Sequence, residues 1–386
     1  MDTNLSTLAF QRETTWGTAP GTPALKKARI TGESLAHEKE TAESQEIRDD
    51  RQKPDSALVG SGAGGQMKFE LSFFMFMQWL EAAVMGVLTT IDLAVTVDCT
   101  ASSQLIDGTA GDFDDVIVGG SVLIAGFATS ANNGVKKVVA KAADGSTITL
   151  AAGSITTDES TKAITVNAVQ VKNGSTQYSY FMERKVPKTT GGYAYQRFLG
   201  MMVDKMTLEF KSKAIVTGTM NFVGKIGEVN DASLNGGTAY TAAEEGEVCN
   251  ATSNVGTIQK DGSSMSEKFK SFTLDIANSL RGRDAVGEAG NFSVGIGSFM
   301  LSGKMECYFR DNTMLADVIA HSNKSLSYRI TDPDGNIMII EIPRLVFSVG
   351  NASIDKQDSD VMIPLEWKAV RDPDTDATLI VSFIEA

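Results

Sequence analysis

Apolar side chains recur at every second position through much of this chain. In Lys270 to Asn278, Phe272, Leu274 and Ile276 fall on one face, and Ser271, Thr273, Asp275 and Ala277 on the other. In Met202 to Phe210, Met206, Leu208 and Phe210 oppose Lys205, Thr207 and Glu209 in the same way. A period of two belongs to a strand with one face in a core and one in water. Runs of this kind, rich in Val, Ile, Thr and Phe and broken by Gly, Asn and Asp, predict strands at 67–71, 121–127, 146–150, 163–169, 176–184, 202–210 and 214–222. Further strands are predicted at 269–280, 299–309, 326–331, 336–347, 361–370 and 378–384. Asp332-Pro-Asp-Gly335 joins two of them as a hairpin turn.

Only two helices stand out. Ser72 can cap one that runs to about Val84 with Gly86 as its stop, and Asp311 or Asn312 can cap Thr313 to His321. Each follows a strand directly, a pairing with the form of a worn internal repeat. Phe73 to Leu88 is apolar, but it is short for a membrane span and contains Gln78 and Glu81. The expected class is therefore mainly β and antiparallel, with one or two short flanking helices.

Three stretches depart from the pattern. Residues 91–172 are small, Thr-rich and punctuated by Gly, and predict a small β domain inserted into a main β domain made of 1–90 and 173–386. Residues 230–266 have no apolar period and predict a long exposed or mobile loop. Residues 31–66 are charged and Gly-spaced, too polar for a core, and predict an arm or loop leading into the first strand-helix pair.

Composition narrows the function. With 42% hydrophobic residues in a chain of 386, a sizeable core is affordable. Lys and Arg number 35 against 48 Asp and Glu, and a net charge of -13 argues against wrapping nucleic acid by counterion release. Cys99, Cys249 and Cys307 are odd in number and far apart, as expected for buried reduced thiols. The start, Met1-Asp-Thr-Asn4, lacks a basic region followed by an apolar run, so no signal peptide is expected and synthesis in a cytoplasm is.

Catalytic patterns do not emerge. His37 and His321 lie far apart, one in the polar segment and one near a helix end. No nucleophile elbow, paired-Cys site or His-Glu-x-x-His occurs. Gly60-Ser-Gly62-Ala-Gly64-Gly65 leads into a strand instead of opening a helix and lacks the Lys-Ser/Thr ending of a phosphate loop, so it reads as a flexible hinge. Neither enzyme, cofactor nor metal ion is expected.

Several ordered blocks do carry a resemblance: Arg12-Glu-x-x-Trp16-Gly-Thr with Pro20, Thr31-Gly-Glu-Ser-Leu35, Glu40-Thr41, Ser44, Glu46-Ile-Arg48, Asp50-Arg-Gln52, Asp55, Gly60 and Phe69-Glu-Leu-Ser72. In these the chain resembles the tail tube proteins, or major tail proteins, of long non-contractile-tailed bacteriophages. The match is dense over about residues 10 to 86 and architectural thereafter.

The resemblance implies a β-sandwich whose sheets join, across six copies, into a continuous barrel. Rings would stack into a virion tail tube, assembled in the bacterial host cytoplasm around a tape measure protein. Tail terminator and baseplate proteins would be further partners, and double-stranded DNA would pass without specific binding and without a membrane. On this expectation the arm meets neighbouring copies through Glu33, Glu40, Glu46, Ile47, Arg48, Asp50, Arg51 and Leu58, with Val59 as a further apolar anchor. The polar strand faces supply the bore through Lys205, Thr207, Glu209, Thr217, Thr219, Asp275 and Glu306, and the net charge predicts an acidic, phosphate-repelling wall. The inserted domain would decorate the exterior. Alternative readings are a tail terminator or baseplate hub component of related fold, or a carbohydrate-binding β protein; Phe113 and Phe127 are the only aromatic residues of 91–172, few for a sugar platform.

Overall fold

The computed structural model describes residues 3–256, 258–288, 290–352 and 357–386. The chain opens with strands β1 (Thr7–Arg12), β2 (Lys26–Lys27), β3 (Gly32–Glu33), β4 (Ala36–Glu43) and β5 (Ser56–Glu70), followed by helix α1 (Phe73–Val84). Six strands come next: β6 (Thr89–Thr100), β7 (Leu105–Asp107), β8 (Ser121–Ala125), β9 (Gly134–Lys141), β10 (Thr147–Leu150) and β11 (Glu159–Lys172). The remainder holds β12 (Tyr180–Pro187), β13 (Tyr193–Lys211), β14 (Thr217–Gly224), β15 (Ile226–Asn230), β16 (Gln259–Lys260), β17 (Ser263–Ser264) and β18 (Phe269–Ala277). It ends with β19 (Arg281–Arg283), β20 (Ser293–Gly295), β21 (Met300–Tyr308), α2 (Thr313–Ala320), β22 (Lys324–Thr331), β23 (Ile337–Gly350), β24 (Met362–Ala369) and β25 (Ile380–Ile384). The mainly β, antiparallel class read from the alternating pattern is the class observed.

One sheet runs β5, β14, β13, β18, β21, β24, β23 in space, with β22 and β25 also paired to β23. A second layer is built from β2, β1, β12, the first half of β13 and β15. Strand β13 serves both layers and turns between them at Gly200, which has φ +71 and would press a Cβ to 3.0 Å from the Trp16 ring. Helix α1 fills the space between the layers. It is apolar nearly all round, the pattern of a buried helix, and Phe73, Phe76, Trp79 and Leu80 are buried. The Trp79 ring lies 4.6 Å from Phe10 on β1, 4.9 Å from Tyr180 on β12 and 5.8 Å from Phe222 on β14. Helix α2, the second member of the repeat-like pair, buries only Met314, so the two helices do not share a packing role.

The helix ends differ in detail from expectation. Ser72 stands at the N-cap but its side chain makes no capping bond. Met85, not Gly86, takes the left-handed turn at φ 49. Gly86 is needed for a different reason, because a Cβ there would sit 2.1 Å from the Lys172 carbonyl oxygen.

Residues 89–172 close on themselves. Strand β11 pairs with β6 and β8, β8 with β9, β9 with β10, β10 with β7, and β7 with β6, completing a six-stranded barrel. Closure leaves no free sheet edge within it. Phe113, Val122, Ile124, Val138, Ile148 and Val166 fill its interior with no measurable exposure. The barrel is joined to the body by β11 itself, whose last residues pair with β25, and by an ion pair from Lys137 to the buried Glu341 at 2.7 Å.

Inside the barrel Glu159 accepts hydrogen bonds from the backbone N–H groups of Ala128 at 2.9 Å and Thr129 at 3.0 Å, and from Asn132 Nδ2 at 3.0 Å. The bond from the Thr129 backbone is the largest influence lowering this carboxyl's pKa below its ordinary value. A depressed carboxyl contributes stability above the ordinary carboxylate range and loses it as pH falls through the lowered value. Glu159→Gln is therefore expected to lower the melting temperature at neutral pH, with the gap to wild type closing in acid. A gap independent of pH in thermal melts would contradict this.

Two expectations about irregular segments are corrected. Gly60 to Gly65 is not a hinge but part of the continuous strand β5, where Cβ-free positions admit neighbours: at Gly65, with φ +133, a Cβ would lie 2.4 Å from the Ser34 carbonyl oxygen. Among the described residues, 231–258 lack regular strands and many are exposed as expected, but the segment is pinned at buried anchors and is not loose. Cys249 lies between Leu71 and Val216, donating its N–H to the Leu71 carbonyl and accepting from the Val216 N–H. Asn235, Asn254 and Ile258 are also buried. All three cysteines are free and buried, and burial pushes the thiols of Cys249 and Cys307 up to about 11.

Candidate assembly surfaces

Segment 31–66, expected as an arm or loop, is a long β-hairpin. Strand β4 pairs with β5 from Ala36↔Gly64 to Glu43↔Ser56. Its root is fixed to the body. Leu35 is buried, Arg184 donates to the Leu35 carbonyl at 2.6 Å, and the His37 Nδ1 atom accepts the Gly227 N–H at 3.2 Å. Beyond the root, every residue from 36 to 59 except the half-exposed Ser44 is exposed. A fifteen-residue strand such as β5 spans roughly 50 Å, and its first third stands outside the body.

This projection carries Glu40, Glu46, Ile47, Arg48, Asp50, Arg51 and Leu58 together on one element, as exposed side chains. Ile47 is 99% exposed, Leu58 57% and Val59 58%. Arg48 and Asp50 pair with each other at 2.9 Å, and the guanidinium holds the Asp50 carboxyl below its usual range. Arg51 adopts a left-handed φ of 59 at the turn. Glu33 differs from the rest of the expected set: it is half-buried and paired with Arg184 inside the same chain, at the hairpin root.

The second surface is the outer face of the large sheet. Cross-strand register aligns Lys68, Thr219, Thr207, Asp275, Ser302 and Lys368 in one row. The next row is Glu70, Thr217, Glu209, Thr273, Lys304 and Glu366. Lys205 and Glu306 stand in the flanking rows. All seven residues picked from strand alternation thus share one face, and none of them is buried. The opposite face holds Met206, Leu208, Met220 and Leu274, all buried.

This face is charge-balanced, not acidic as the net charge suggested. Lys68, Lys205, Lys211, Lys304 and Lys368 offset Glu70, Glu209, Asp275, Glu306 and Glu366. Neighbours pair across strands, Lys304 with Glu366 at 2.7 Å and Lys205 with Asp275 at 3.6 Å, while Thr207 donates to Asp275 at 2.6 Å. The excess acid lies elsewhere, notably in the hairpin and in Glu244, Glu245 and Glu247.

Sequence reasoning missed two buried carboxylates of the second layer. Glu183, wholly buried, accepts from Arg197 at 2.9 Å, Ser233 at 2.6 Å, Tyr240 at 2.8 Å and the Leu234 N–H at 2.9 Å. Glu13 likewise accepts from the N–H groups of Gly17 and Gly200 and from Ser179. Most of their partners lie far along the chain, so the local sequence does not reveal the networks.

Among the described residues, no group of His, Cys, Asp or Glu is arranged to hold a metal ion, and no helix is long and apolar enough to cross a membrane. A comparison with curated proteins finds no match. The family model for the phage tail tube protein matches residues 3–369, a span that takes in both the hairpin and the polar sheet face. The chain therefore belongs to the phage tail tube protein family, and so to the structural components of the virion tail.

Proposed function

We propose that six copies of this chain form a ring, that rings stack into the tail tube, and that the tube conducts double-stranded DNA during ejection. The observation that carries this reading is the hairpin of residues 36–59, which is ordered as a strand pair yet, beyond its root contact at His37, stands exposed along its length. A projecting strand pair with exposed Ile47, Leu58 and Val59 is costly to leave in water and is accounted for by a neighbouring copy. The polar face of β5, β14, β13, β18, β21 and β24 is the candidate bore wall. A hydrated wall of paired charges offers DNA phosphates no field to cling to, so sliding rests on neutrality instead of repulsion. Residues 91–172, within the closed barrel, form an inserted domain on the tube exterior, with the tape measure, terminator and baseplate proteins as partners of the tube itself.

Electron microscopy of the purified protein at rising concentration tests the reading. Hollow rods with sixfold cross-section are expected, and a persistent monomer would overturn it. Deleting 38–60 leaves Ser61-Gly62 as a two-residue turn between the paired His37 and Ala63. This variant is expected to fold with an unchanged circular dichroism spectrum and to form no tubes. Tubes of normal length from the deletion would remove the hairpin from assembly.

A further inference from the structure

The hairpin stands at only one end of the large sheet, and exposed lysines gather at the other. Along β5, Glu70 pairs with Thr217 at one end and Ala63 with Gly224 at the other, and the hairpin continues past Ala63. The opposite end is formed by the β13–β14 turn and the start of β18, where Lys211 aligns with Ser271. Lys211, Lys213, Lys268 and Lys270 gather there and are all exposed. Lys211 and Lys270 are paired, with Glu209 at 2.6 Å and Glu306 at 3.4 Å. Lys213 and Lys268 form no ion pair among the described residues.

Beneath these lysines lies a cavity of about 370 Å³. Phe210, Ile258, Met265 and Phe272 form its floor, Lys211, Lys268 and Lys270 line its rim, and Glu267 is the single carboxylate in its wall. The hairpin tip carries free acids beside an apolar side chain. Ile47 stands fully exposed between Glu46 and Arg48; Arg48 is taken up by Asp50 and Arg51 follows, while neither Glu46 nor Asp49 has an ion-pair partner among the described residues.

We infer that the hairpin tip of one copy docks in this lysine-rimmed pocket of a second copy, with Ile47 on the apolar floor and Glu46 and Asp49 against Lys213 and Lys268. This rests on the tail tube reading and names the partner surface within it. A contact between opposite ends of the same chain is heterologous, and propagates wherever its rotation does not close a ring, as stacking requires. Charge complementarity sets its register and the buried isoleucine its hold.

Charge reversal tests the docking, with rod formation followed by electron microscopy and sedimentation. Lys213→Glu with Lys268→Glu is expected to raise the concentration needed for rods by about tenfold or more. Adding Glu46→Lys and Asp49→Lys is expected to restore it. Thermal melts matching wild type show that the exposed substitutions leave the fold intact. A second measurement uses Ile47→Cys with Lys268→Cys, which on oxidation is expected to give a ladder of linked copies on a denaturing gel, the native thiols being buried. Rods from wild type without a ladder, or a double reversal that polymerises like wild type, overturn the docking and leave the tube reading standing. A wild type that forms no rods under any condition overturns both.

Discussion

Glu183→Ala destabilises the protein by about 3–5 kcal/mol, read as a lower midpoint in urea unfolding. The carboxylate is wholly buried and accepts four hydrogen bonds, from Arg197, Ser233, Tyr240 and the Leu234 backbone. Removing it strands a guanidinium that is itself mostly buried, together with two hydroxyls and an N–H, and a charge left without its counter-ion in a low-dielectric site costs more than a lost neutral bond. Glu183→Gln keeps the shape and can still accept from the hydroxyls, so a smaller loss is expected. Because Ser233, Leu234 and Tyr240 belong to the segment after β15, hydrogen exchange should rise first there. An alanine variant within 1 kcal/mol of wild type would show that the network does not hold that segment.

Trp79→Ala is expected to cost a similar amount, about 3–5 kcal/mol, for a different reason. Trp79 is 1% exposed and its ring touches aromatic partners from both layers, Phe10 and Tyr180 on one side and Phe222 on the other. Truncation opens a cavity at the point where helix and two sheets meet, and three rings anchored in separate strands cannot all move inward to fill it. Trp79→Phe retains an aromatic core and should lose less than half as much. Equal losses for Ala and Phe in denaturant unfolding would place the energy in something other than filled volume.

Much of the fold was legible in the chain because one-sided burial writes a period of two. The strands β13, β18 and β21 declare themselves through residues such as Met206, Leu208, Leu274 and Ile276, and the same alternation brings Lys205, Thr207, Glu209, Asp275 and Glu306 to one face. The hairpin escaped that logic. With both faces of β4 and the start of β5 in water, Ala36–Glu43 shows no alternation to read, and its glycines look like a hinge until their close neighbours are seen. Segment 231–258 misled for a related reason: its order comes from single anchors such as Cys249 and Asn254 bonded to distant strands, and isolated anchors have no period. The charge of the sheet face could not be foreseen either. Net charge is a sum over the whole chain, whereas Lys304 and Glu366 meet only because β21 and β24 align in register.

Strand β11 gives the protein a timetable. Every pairing that closes the small barrel lies within Thr89 to Lys172, so all of its partners are present once that stretch has left the ribosome. The end of the same strand must wait for Ile380 to Phe383, which are made long after it. Short-range contacts form early and long-range ones late. The barrel is thus expected to stand finished on a nascent chain whose body is still open, holding one half of the body's final strand pair in an extended shape. The arrival of β25 beside it then becomes the step that ties the finished barrel to the body.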